Sequence, residues 1–129
     1  MKYYFDKVID SPFEKTRELV IAALKVQGFG VITEIDMKEK LMEKLGVDFR
    51  KYNILGACHP ATAYKALQME DKIGTMLPCN VVIQELANGK TEVFAVDPMA
   101  SMMAVSNSAM GSLASDIRDK LKSVIDNLS

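Results

Sequence analysis

The sequence has 129 residues and contains no tryptophan, one histidine and two cysteines. It lacks a phosphate-cradling glycine loop and the GxSxG, HExxH and EF-hand patterns, which excludes most familiar enzyme classes. A closed zinc site normally takes four ligands at closer spacings than this chain offers. A chain of this length buries enough surface to fold as one domain without disulfide bonds.

Neither sign of charge predominates, because the net charge is -1 and the isoelectric point is near 5.8. We therefore expect no nucleic-acid partner, since nucleic-acid binding needs a basic patch that displaces counterions. The chain lacks the apolar run of about 20 residues that a membrane helix requires, so we expect no membrane association. The amino terminus lacks a secretory cleavage site, and the expected location is the cytoplasm, where thiols stay reduced.

The hydrophobic pattern predicts a single α+β domain over residues 1–129, with a mostly antiparallel sheet, helices on one face, and a hairpin followed by a long C-terminal helix. Predicted strands cover residues 2–9, 31–35, 51–58, 76–86 and 90–97. The first helix is predicted over 12–27, with Ser11 as its cap, Pro12 at its first position and Glu14 completing a capping box. Asp36 is predicted to cap the second helix and Gly46 to end it.

Asn88-Gly89 predicts a hairpin with a two-residue loop. With that loop, the strands would pair in a register that places Ala87 opposite Lys90, Ile83 opposite Phe94, Val81 opposite Val96, and Asn80 opposite Asp97. One face would then carry Cys79, Val81, Ile83, Phe94 and Val96 as core, and the other Asn80, Val82, Gln84, Val93, Ala95 and Asp97. The second face is still half apolar, which indicates a partner such as a second copy of the chain.

The segment between Tyr52 and Val82 contains both cysteines and the histidine. Pro60 is typical of the first turn of a helix, so His59 is predicted as its N-cap, and Cys58 lies where the helix dipole favours a thiolate. The alternative is that Cys58 is a small buried residue at a strand end. The inward orientation of Cys79 favours packing.

Four methionines and an acidic residue follow the hairpin. Met99, Met102, Met103 and Met110 predict either irregular core filling or an adaptable apolar groove. Asp97 precedes Pro98, so its simplest role is to cap a helix there, with substrate binding as the alternative.

Three functions remain open. The favoured one is a homodimeric module that binds a small ligand, a soft metal or a sulfur species in a cleft near the two cysteines, with ligand-binding residues Cys58, His59, Cys79, Asn80 and Asp97. The second is a thiol-based redox enzyme or sensor, with Cys58 as candidate thiolate and Cys79 as resolving thiol. The third is a structural or interaction protein without a small ligand. The sequence leaves both enzymatic activity and any cofactor undetermined.

Several motifs are similar to those of the domain-of-unknown-function 302 family, small bacterial and archaeal proteins. They are Phe49-x-x-Tyr52-x-Ile54-Leu55-Gly56-Ala57-Cys58-x-Pro60, Leu77-Pro78-Cys79-Asn80-Val81-Val82 and Asp97-Pro98. The resemblance implies an α+β fold, often a homodimer, and no assigned biochemical role. Its motif positions are Gly56, Cys58, Pro60, Pro78, Cys79, Asn80, Asp97 and Pro98. The family more often has asparagine where His59 stands, which counts against a mechanism that depends on this histidine.

Overall fold

The computed structural model describes residues 2–129 and contains a five-stranded antiparallel sheet in the order β1-β5-β4-β3-β2. The strands are β1 (Tyr4–Ile9), β2 (Gly30–Asp36), β3 (Tyr52–Cys58), β4 (Cys79–Glu85) and β5 (Thr91–Val96). The helices are α1 (Phe13–Val26), α2 (Met37–Leu45), α3 (Pro60–Met69), the single turn α4 (Pro98–Ser101) and α5 (Met110–Asp126), with a 3-10 helix at Asp71–Met76. Over the described residues, none of these helices combines the length and apolar character needed to cross a membrane. The predicted α+β class is confirmed.

Helix α2 begins and ends at the residues that the sequence predicts. The Asp36 carboxylate accepts a hydrogen bond of 3.0 Å from the backbone N–H of Glu39. Gly46 ends the helix with a φ of 65°, a conformation that glycine adopts without steric cost.

Helix α1 starts differently from the prediction, and the capping box there is wrong. Pro12, in an extended conformation, is the N-cap instead of the first helical residue, and no side chain caps the helix. Ser11 therefore lies one residue outside the helix, with its hydroxyl buried and without a hydrogen-bond partner among residues 2–129. Its backbone carbonyl accepts a hydrogen bond of 2.8 Å from the Thr91 hydroxyl, which ties the start of α1 to β5.

The β4–β5 hairpin has a three-residue loop, so the predicted two-residue loop is wrong. The Leu86 N–H donates to the Lys90 carbonyl at 2.8 Å, which leaves Ala87, Asn88 and Gly89 in the loop. A two-residue loop of the predicted type needs positive φ at both central positions. Only Gly89 has positive φ here, at 82°, and this explains the longer loop.

The longer loop shifts the predicted pairing by one residue. Val81 pairs with Ala95, Val82 with Phe94, and Ile83 with Val93. Because side chains alternate along a strand, Val93 and Ala95 enter the core and Phe94 moves to the outer face, whereas Val96, at the end of β5, is half-buried against the edge of the core. Cys79, Val81 and Ile83 face inward as predicted. The pair Asn80 with Asp97 is not formed, because the shifted register pairs Val81 with Ala95 and ends there; Asn80 is exposed and Asp97 is buried.

The apolar side chains form two clusters. The main core lies between the inner face of the sheet and helices α1 and α5, and includes Val20, Leu24, Leu55, Val81, Ile83, Val93 and Leu121. The second cluster joins α3, the 3-10 helix, the α4 segment and the start of α5. It has Ala66, Ile73 and Met110 buried, with Met76, Leu77, Met102, Val105 and Leu113 packed around them.

Candidate functional site

A cavity of about 350 Å³ lies where the main core and the second cluster meet, and we call it the seam cavity. Its wall includes Phe29, Ala57, Cys79 and Ile117 of the main core and Ala66, Leu77, Met102 and Met110 of the second cluster. This volume falls within the range of about 300–1,000 Å³ for small-molecule sites. The wall is almost wholly apolar and contains no Asp, Glu, Lys or Arg side chain.

Gly56 lets the strands close tightly beside the seam cavity. A Cβ atom at Gly56 would overlap the Thr33 hydroxyl oxygen and would lie 2.7 Å from Cγ of Pro78. Both atoms are closer to that position than van der Waals contact allows. The side chains of Thr33 and Pro78 therefore pack directly against the backbone of Gly56. This close approach lies near the end of β3, where Ala57 pairs with Cys79.

Both cysteines line the seam cavity as free thiols. Cys58 is half-buried at the end of β3, and Cys79 is 8% exposed at the start of β4. Burial raises the pKa of the Cys79 thiol from 9.0 to about 11, and the neighbouring Cys58 adds to this effect. Cys79 is therefore a neutral thiol at physiological pH, and the structure places it near Cys58.

His59 lies between the end of α1 and the start of α3. It occupies the N-cap position of α3, as predicted, but its side chain makes no capping hydrogen bond. Instead Nδ1 lies 3.0 Å from the Thr62 hydroxyl, and the ring packs edge-on against Phe29 at 5.4 Å between centroids. A Cβ atom at Gly28 would lie 2.9 Å from Nε2, so the ring rests on the backbone of this glycine. His59 thus forms a packed part of the cavity wall.

Asn80 and Asp97 lie away from the seam cavity. Asn80 lines a different cavity of about 230 Å³, together with Thr75 and Ser101. Asp97 accepts hydrogen bonds from the Met99 backbone N–H at 3.0 Å and from Nε of Arg118 at 3.3 Å, and it lines neither cavity. The simpler of the two roles predicted for Asp97, that it caps a helix at Pro98, is confirmed.

The part of the wall that the sequence did not predict comes from distant segments. Ile32 belongs to it because β2 has an irregularity between Val31 and Thr33 that leaves Ile32 out of the pairing. Thr62 and Ala114 belong to it through the packing of α3 against α5. Met102 and Met110 are the part of this wall for which the sequence gives a signal, since it predicts that the methionines fill irregular core or form an adaptable groove.

The seam cavity does not gather a set of metal ligands of the usual kind. Over residues 2–129, no group of three or more His, Cys, Asp or Glu side chains is arranged to hold a metal ion. Cys58, His59 and Cys79 share the wall without forming such a group.

Comparison with known proteins gives a family and a fold. Residues 5–128 match the model of the family described as Domain of unknown function DUF302. The structure is similar to the crystal structure of an uncharacterized conserved protein DUF302 from Bacillus stearothermophilus, with 28% sequence identity, a TM-score of 0.91 and full coverage of both chains. None of the curated proteins matches this chain.

Proposed function

We propose that this chain, which belongs to the DUF302 family, binds a small apolar ligand in the seam cavity. The observation that carries the proposal is an almost wholly apolar cavity of about 350 Å³ that opens to solvent beside Ile32 and Leu67. Protein interiors are close-packed, with few voids larger than a water molecule. Atoms that line an empty space lose dispersion contacts, which an apolar ligand restores.

The wall favours an uncharged, apolar occupant. It supplies no charged side chain, and a buried charge without a partner is strongly destabilised. Cys79 contributes a neutral thiol, which behaves as a small apolar group. The Thr62 hydroxyl and Nδ1 of His59 already lie within hydrogen-bonding distance of each other, so part of their polar capacity is used. Recognition would then depend on shape and on contact with the apolar wall.

Two alanines of α3 provide a matched test. Ala63 is half-buried and lines the seam cavity, whereas Ala61 is exposed in the same helix. We expect short aliphatic and aromatic probes to raise the melting temperature of the wild type and of Ala61→Phe, but not that of Ala63→Phe, in which the new ring occupies the cavity. Equal shifts in both variants, or no shift with any probe, would contradict the proposal.

A second candidate function is thiol redox chemistry, favoured by the common wall of Cys58 and Cys79. A peroxide would oxidise the Cys58 thiol to a sulfenic acid and release water or an alcohol. The Cys79 thiol would then attack that sulfur, forming a disulfide and releasing water. A cytoplasmic location, which keeps thiols reduced between cycles, suits this role.

The thiol candidate is tested by mass spectrometry of peptides after treatment with hydrogen peroxide. We expect a Cys58–Cys79 disulfide in the wild type and a Cys58 sulfenic acid trapped by dimedone in Cys79→Ser. Peroxide-treated protein whose two thiols remain fully alkylatable would overturn this candidate and leave ligand binding unaffected.

We also propose that the chain forms a homodimer through the outer face of the sheet. The ring of Phe94 there lies 6.2 Å from Tyr4 and 6.3 Å from Tyr52, centroid to centroid. Val8 and Ile35 on the same face are 49% and 42% exposed, and an extended apolar surface is typical of an interface. Light scattering at micromolar concentration should give the mass of a dimer for the wild type and of a monomer for Val8→Glu. A monomeric wild type would contradict the dimer.

A further inference from the structure

A second apolar cavity adjoins the seam cavity at the start of α5. It has a volume of about 220 Å³, and we call it the methionine cavity. Its wall includes Met99, Met102, Met103, Val105, Met110 and Ala114, with Asn107 and Ser108 as polar members. Met102, Met110 and Ala114 also belong to the wall of the seam cavity. These three side chains therefore form the partition between the two spaces.

The partition is built from side chains that can change conformation. Methionine is unbranched, has three rotatable side-chain bonds and adapts its shape to its surroundings. Met102 is half-buried just after the single turn α4, so its side chain can move without breaking a helix. Ala114 lies one turn after Met110 on α5, and both side chains are buried where the two walls meet.

We propose that the ligand is a long unbranched aliphatic chain that passes between Met102, Met110 and Ala114, from the seam cavity into the methionine cavity. This inference rests on the proposed function and specifies its ligand class. A chain of methylene groups has about the same cross-section as the methionine side chain that it displaces, so it can pass a narrow partition. A compact ring system of similar mass would fill only the seam cavity.

The charge distribution limits the head group of such a ligand. Neither wall contains an Asp, Glu, Lys or Arg side chain, so no ion pair can form inside. A polar head group must remain at the solvent-exposed opening, where Ile32 and Leu67 are exposed members of the wall. The protein would then recognise the length of the ligand's aliphatic chain but not its head group.

The test measures the affinity of the full chain for 1-alkanols of increasing length. While the chain lies in either cavity, each added methylene should lower Kd about fourfold. The fall in Kd should continue beyond the chain length that fills the seam cavity.

Methyl-labelled methionine gives a second readout by NMR. Short alkanols should shift the resonances of Met102 and Met110, and long alkanols should also shift those of Met99 and Met103, which line only the methionine cavity.

Two variants narrow the partition. Ala114→Leu should stop the gain in affinity at a shorter chain, and Ser115→Leu, at an exposed neighbouring position on α5, should leave the gain unchanged. Met102→Phe, at a half-buried position, provides the same test if Ala114→Leu does not fold.

The outcomes separate the two proposals. Short alkanols that bind, with an affinity that stops rising before Met99 and Met103 respond, would overturn the long-chain inference and leave the proposed function intact. No binding by an alkanol of any length would overturn both.

Discussion

The main core and the second cluster are built from different side chains and pack differently. The main core has Leu55, Val81, Ile83 and Val93 fully buried, and these come from neighbouring strands whose alternation aligns them. The second cluster has only three buried members, and most of its remaining side chains are half-exposed. Strand pairing therefore gives a filled core, whereas short helices joined by loops leave space at the seam.

The composition of the wall explains why the seam remains open. Small alanines such as Ala63, Ala66 and Ala114 face the cavity from α3 and α5. Met102 and Met110 stand beside them, together with branched residues such as Leu113, and methionine fills space without fixing one conformation. The main core is closely packed, and the seam leaves the space that we propose as a site.

The largest expected contrast is between two leucines. Leu55→Ala, in the main core, should lower the free energy of unfolding by about 2–5 kcal/mol, because it leaves a cavity in closely packed surroundings. Leu77→Ala, at a half-buried position in the second cluster, should cost less than about 2 kcal/mol. Urea denaturation of both variants measures the difference. Equal losses would show that the two clusters are packed alike.

Two glycine-to-alanine substitutions compare tight packing at the sheet with open space at the seam cavity, because each adds one methyl group. Gly56→Ala should cost about 1–3 kcal/mol, because Pro78 and Thr33 leave no room for a Cβ atom. Gly74 lines the seam cavity, and no atom lies within 4 Å of the position that a Cβ would take there, so Gly74→Ala should be neutral or slightly stabilising. Thermal unfolding of both variants is the measurement. A destabilised Gly74→Ala would contradict an open seam.

The buried thiol predicts a loss of stability at high pH. The pKa of Cys79 is 9.0 in the reference state and about 11 in the folded protein, so the unfolded chain loses its proton first. The free energy of unfolding is therefore unaffected by this thiol below about pH 9. It falls as the pH rises toward 11, and the loss is about 2 kcal/mol at about pH 10.5. Urea denaturation of the wild type and of Cys79→Ala across this range isolates the effect, since other groups titrate alike in both. An identical pH dependence would place Cys79 in contact with solvent.

The smallest expected effect concerns the contact between Gly28 and His59. Gly28 and Gly89 have φ values of 87° and 82°, so alanine at either site bears a similar backbone cost. Gly28→Ala should lower the free energy of unfolding, measured by urea denaturation, by about 1 kcal/mol more than Gly89→Ala does, because the Cβ atom at residue 28 would displace the His59 ring. Adding His59→Ala should remove that extra cost. A cycle with no coupling would show that His59 is not a fixed part of the wall.

Sequence reasoning predicted the elements whose signals are local. Asp36 and Gly46 bound α2, His59 precedes α3, and Cys79 faces inward because alternation along β4 is independent of its partner strand. The hairpin register depended on the backbone of one residue, Asn88, whose φ the sequence does not specify.

The sequence predicts a cleft near the two cysteines, but the rest of the wall of the seam cavity could not be predicted, because it comes from segments far apart in the chain. Ile32 before α2, Ala66 in α3 and Ala114 in α5 meet only in the folded protein. Both cysteines line the cavity, and their shared wall follows from the pairing of Ala57 with Cys79 and from the packing of α3 against α5. The roles of Cys58 and Cys79 in chemistry stay predictions.

The most direct test of the seam as an apolar site is a crystal structure of the protein under xenon pressure. Xenon enters apolar cavities that water leaves empty. We predict a xenon atom between Ala66, Cys79 and Met110 in the wild type, and none in Ala63→Phe. A seam cavity that takes up no xenon, because water or collapsed side chains fill it, would contradict the proposed apolar site.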